Sequence, residues 1–143
     1  MSAAAYQCGN VVLVALDKGS DLLLELQRLV LANEISFCHL SGIGSLNQTR
    51  MTYYAQDVKQ DRDIVLDRPM MLSALSGTAF RDGDEVSVHA HIIVSEESGG
   101  AFAGDLSSGC EVFSCEVILT ELLGPPVARS TDVATGLARL AFS

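Results

Sequence analysis

From Val86 to Ser95 the sequence alternates: Val86, Val88, Ala90, Ile92 and Val94 share one side, whereas Ser87, His89, His91, Ile93 and Ser95 share the other. Successive side chains of a strand point to opposite faces, so this period of two predicts an extended segment with its first face in a core. The chain around it reads the same way. Strands are expected within Ile35 to Leu46, over Arg50 to Tyr54, Asp63 to Leu66 and Met70 to Phe80, and over Ala101 to Leu106 and Cys110 to Leu123. Arg81-Asp82-Gly83-Asp84 and Glu96 to Gly100 supply turns, Gly124-Pro125-Pro126 stops the long late strand, and Ala138, Leu140 and Phe142 suggest a last short one.

The opening differs from the rest. Val11 to Leu16 is six apolar residues without alternation, the pattern of a strand covered on both faces in the middle of a sheet. After the Asp17-Lys18-Gly19-Ser20 turn, Ser20 or Asp21 can cap a helix whose Leu22, Leu26, Leu29 and Val30 recur at helical spacing through about Asn33. Together these features predict an α+β fold: an antiparallel-rich mixed sheet with one main flanking helix, in a single domain over residues 1–143. At 143 residues and 48% apolar content the chain can fold on one core without staples. Cys8, Cys38, Cys110 and Cys115 form no C-x-x-C, and the odd spacing of the last two would put them on opposite faces of a strand. They read as reduced core residues. Several strands are apolar on both faces, more than one helix can cover. Val112 and Ile118, on the second face of the long late strand, therefore point to burial between identical subunits. Phe113, Cys115, Val117 and Leu119 are its expected core side.

Charge narrows the partners. The net charge is −9, and nine acids with no Lys or Arg lie between Asp82 and Glu121. Arg50, Lys59, Arg62, Arg68 and Arg81 are interleaved with Asp57, Asp61, Asp63 and Asp67, so they leave one positive charge. Phosphate binding without sequence preference rests on uncompensated cations, so nucleic acid is not expected as a direct tight partner. Met1 to Asn10 carries no Lys/Arg-rich start, and no run nears the roughly 18 apolar residues of a membrane helix. A cytoplasmic protein is expected.

His89-Ala90-His91 carries the most chemistry. Two imidazoles at i and i+2 on a strand project from one face, close enough to ligate one ion. Asp105, just beyond the hairpin turn, can fold back beside them, and two His with one carboxylate suit zinc, iron(II) or another divalent metal. His39 and Glu96 are weaker candidates. Gly42-Ile43-Gly44 lacks the third glycine and following helix of a dinucleotide turn and reads as glycines where a strand bends or another backbone approaches. No nucleophile is tied by motif to a His.

With Gly83 before it and Glu96 after it, the His pair resembles the first cupin motif, but no His follows for the second. A resemblance spanning Val11 to Phe142 is more specific. Leu40-Ser41-Gly42-Ile43-Gly44-Ser45-Leu46, Leu75-Ser76-Gly77, Asp82-Gly83, Val88-His89-Ala90-His91, Ala103-Gly104-Asp105-Leu106 and Thr135-Gly136-Leu137 occur in that order. They resemble the plant and prokaryote conserved (PPC) domain, which plant AT-hook nuclear proteins carry and many bacteria and archaea encode alone. The resemblance implies a homotrimer, and an architecture similar to acetolactate decarboxylase, whose zinc sits on a His-x-His pair and a later His. The family usually has that His where this chain has Asp105, and a Glu where it has Met71. Its DNA contact belongs to the Arg-Gly-Arg-Pro type AT-hook, which is absent here. The expected function is a binding or regulatory protein with a metal or small-ligand pocket at His89, His91 and Asp105. The alternative is a metal-dependent enzyme using the same residues.

Overall fold

In the computed structural model, which describes residues 1–142, one helix packs on a mostly antiparallel sheet. The strands are β1 (Gln7–Leu16), β2 (Phe37–Ala55), β3 (Gln60–Leu66), β4 (Met70–Asp82), β5 (Glu85–Ser95), β6 (Ala101–Leu106), β7 (Glu111–Leu123), β8 (Val127–Thr131) and β9 (Ala138–Phe142), with α1 at Leu22–Ala32. The main sheet runs β1-β7-β2-β4-β5-β6, with β3 on β2. The α+β expectation holds in its coarser form, with strand dominating. Each pairing among the described residues is antiparallel, so the expected mixed sheet is corrected.

Asp21 caps α1, its carboxylate accepting from the Leu24 N–H at 3.1 Å, and Leu22, Leu26 and Val30 are fully buried. They join Cys38, Leu40, Ala79, Ala90, Ile92, Val117 and Leu119 in the core on the sheet's first face. Each leucine so buried contributes about 2 kcal/mol relative to an exposed one. The alternation of β5 is as read, with Ala90, Ile92 and Val94 buried.

Three expectations are corrected. The Val11–Leu16 strand lies at a sheet edge, paired among the described residues only with β7, and its Val11 and Leu13 are 54% and 72% exposed. The segments expected within Ile35 to Leu46 and over Arg50 to Tyr54 are one strand, β2. Register shifts near Gly42, Gly44 and Leu46 mark bulges, which bend the strand without ending it. In β7, Ser114 opposes Ser45 but Val112 opposes Leu46, so Phe113 is the extra residue of a bulge. The alternation inverts there: Val112 is fully buried and Phe113 is 51% exposed, the reverse of the expectation. Cys110 and Cys115 are consequently both buried, and both are free thiols.

The bulged β2 reaches two sets of neighbours. Its first half lies between β7 and β4, and its second half pairs with β3 and, through Met51 and Thr52, with β6. β6 is thereby held between β5 and β2. The hairpin of β8, which the sequence did not suggest, and β9 is anchored where Tyr6 meets Phe37 edge-on at 5.3 Å and Phe142 at 6.2 Å. The Tyr6 hydroxyl donates to the Pro125 carbonyl at 2.8 Å.

Candidate metal centre

β5 presents His89 and His91 on the open face of the sheet because Ala90 between them is committed to the core. The hairpin turn at Glu96 to Gly100 sets the register of β6, which places Asp105 directly opposite His91. Asp105 is also the register partner of Thr52 on β2, so two neighbouring strands fix its position. Gly104 makes this possible: a Cβ there would stand 2.7 Å from the Thr52 carbonyl oxygen and 3.2 Å from the Met51 sulfur.

The three side chains converge. Asp105 Oδ1 lies 3.0 Å from His91 Nε2 and 3.3 Å from His89 Nε2, and the three ligand atoms fall within 4.8 Å of one another. The two rings stand nearly perpendicular, at 85° with centroids 5.4 Å apart. Asp105 Oδ1 is itself buried, with no hydrogen-bond partner of ordinary geometry. In a tetrahedral zinc site with bonds of about 2.0–2.1 Å, neighbouring ligand atoms stand about 3.3 Å apart. The two Asp–His separations match that edge, and the donor set of two imidazoles and a carboxylate suits zinc or a related divalent ion.

A fourth side chain borders the cluster. Arg129, on β8, donates from one guanidinium nitrogen to Thr78 Oγ1 at 3.4 Å and from another to the Ala138 carbonyl at 3.1 Å. Thr78 is the β4 register partner of His89, so the guanidinium lies over the same face as the imidazole. Burial lowers the pKa of His89 below 6.5, and the positive charge of Arg129 lowers it further, against the pull of the Asp105 carboxylate. The sequence reading missed Arg129. Its one signal is position, as the first basic residue after the acidic stretch that begins at Asp82.

The family model of the Plants and Prokaryotes Conserved (PCC) domain matches residues 3–123. The chain belongs to that family. Among solved structures, a protein of Archaeoglobus fulgidus described as metal-containing is 29% identical, with 99% of each chain covered and a TM-score of 0.91. A plant- and prokaryote-conserved (PPC) protein of Pyrococcus horikoshii is 28% identical over 99% of this chain and 97% of its own, at a TM-score of 0.88. A Bacteroides thetaiotaomicron protein, described only provisionally as DNA-binding, shares the fold at a TM-score of 0.84 and 21% identity, with 97% of each chain covered. No curated protein matches.

The remaining candidates of this PPC chain stand apart from the triad. His39 is exposed on β2, with Thr78 on β4 between it and His89, and Glu96 pairs with Arg68 at 3.2 Å beyond the end of β5. Gly42, as read, is a close approach, with a Cβ there 3.0 Å from the Glu116 carbonyl oxygen. Met71 is exposed on β4 and lines a groove of about 710 Å3 with Ser45 and Phe113. Cys38, fully buried on β2 in the core, has its thiol pushed up to about 11 by burial.

Proposed function

We propose that this chain is a cytoplasmic PPC binding protein that forms a homotrimer and holds one divalent cation per subunit, zinc or a related ion, on His89, His91 and Asp105. The observation that carries the reading is the approach of one buried carboxylate oxygen to both imidazole nitrogens at 3.0 and 3.3 Å. The Archaeoglobus protein described as metal-containing supports it. Such an ion would supply a Lewis acid, held by His89 and His91 of β5 and Asp105 of β6, two strands of fixed register. Leu13, Ile43 and Ile118 line a groove of about 670 Å3 on the sheet's second face, an apolar surface of the kind that subunits bury. Related structures described as DNA-binding do not extend that property here, because the chain carries −9 and its acids concentrate around β5 to β7.

Protein dialysed against zinc and analysed for metal should retain about one equivalent per subunit. His89→Ala and His91→Ala should each lose it while keeping the fold, since the core is built by the opposite face of β5. Retention below about a tenth of an equivalent by the wild type would overturn the reading.

A further inference from the structure

Arg129 brings a positive charge to a place that is meant, on the reading above, for a cation. It makes no ion pair among the described residues: the carboxylate nearest in sequence, Asp132, pairs with Arg139 at 3.6 Å. Its Nε is buried and without a hydrogen-bond partner. Two of its five N–H donors are engaged, by Thr78 and by the Ala138 carbonyl, and these hold the group over the row that contains His89. A partly desolvated guanidinium with unused donors and no counter-charge is costly unless a further acceptor arrives. A loaded triad sharpens this demand. Two neutral imidazoles and one carboxylate leave a dication with one net positive charge, and Arg129 adds a second. Three protein ligands also leave a four-coordinate ion one position short.

We propose that Arg129 turns the metal centre into a receptor for a small oxyanion, a carboxylate or phosphoryl group, which places one oxygen on the bound cation and another on the guanidinium. The planar fork of arginine matches both headgroups, and the half-exposed His89 and more open His91 leave the site accessible to a small solute. The inference rests on the metal reading and adds the ligand class. It has a thermodynamic signature: because Arg129 repels the bare cation and attracts the anion, the two must bind cooperatively, and each strengthens the other by the same factor.

The test measures zinc affinity by competition with a chromophoric chelator in chloride buffer, then with added acetate or methyl phosphate, for wild type, Arg129→Gln and Arg129→Lys. In the wild type at least one anion should tighten zinc binding by about fivefold or more. Arg129→Gln should bind zinc more tightly than wild type in chloride and lose the response to the anion. Arg129→Lys, which keeps the charge without the fork, should respond weakly. The more effective probe identifies the headgroup as carboxylate or phosphoryl. A wild type that holds zinc but ignores both anions, or an Arg129→Gln protein that responds like wild type, overturns this inference and leaves the metal reading standing. A wild type that takes up no zinc removes both. Thermal unfolding of each variant shows whether it is folded, and the Lys variant carries the comparison if the Gln variant is not.

Discussion

His89 is half-exposed yet sits between opposing influences. Burial and the Arg129 guanidinium disfavour its protonated form, and the Asp105 carboxylate favours it. Because the folded value lies below 6.5, protonation favours the unfolded chain. The stability linked to this residue is therefore complete above about 6.5 and is lost as pH falls from there through the folded value. Proton NMR should place the His89 midpoint below 6.5, and Arg129→Gln should move it upward by removing the like charge. A midpoint that stays or falls in that variant would show that the guanidinium does not act on the imidazole. Metal uptake competes with the same proton, so occupancy should decline over the same range.

At the scale of elements, the site depends on how closely β6 approaches β2. Gly104 allows Asp105 to sit opposite both Thr52 and His91, and any side chain there meets the β2 backbone. Gly104→Ala should cost about 1–3 kcal/mol, as overpacking typically does, and should also weaken zinc binding by displacing Asp105. Denaturant unfolding and chelator competition measure the two effects. A variant with wild-type stability and affinity would show that β6 is not held in place by this contact. The bulges of β2 serve the same end, since a strand that bends can pair with β7 and β4 over one half and with β6 over the other. The bulge at Phe113 reassigns the faces of β7 without altering its strand character.

For the whole molecule, the uneven covering of the sheet is the main feature. α1 covers the first face and the β8–β9 hairpin only part of the second, where Leu13, Ile43 and Ile118 remain exposed on three adjacent strands. Burying such surface is favourable by roughly 25 cal/mol per Å2. Light scattering on dilute protein should give three times 15.2 kDa, and Ile43→Arg with Ile118→Arg should reduce it to one chain, because a charge buried between subunits has no partner. A monomeric wild type would overturn the trimer.

What the sequence determined is what depends on near neighbours. The period of two in β5 gave the open face of His89 and His91, helical spacing and a capping Asp21 gave α1, and a short hairpin turn brought Asp105 back opposite the pair. In each case the residues involved are within about one element of one another, so local geometry is enough. The tertiary structure decided the rest. The apolar run of β1 looks central, but whether a strand lies at an edge depends on which strands come later to pair with it. The exchange of Val112 and Phe113 depends on the register of β7 against β2, some 65 residues earlier in sequence. Arg129 reaches Thr78, the register neighbour of His89, because an aromatic cluster of Tyr6, Phe37 and Phe142 pins a C-terminal hairpin on the sheet, a contact formed by packing between distant segments that no periodicity records.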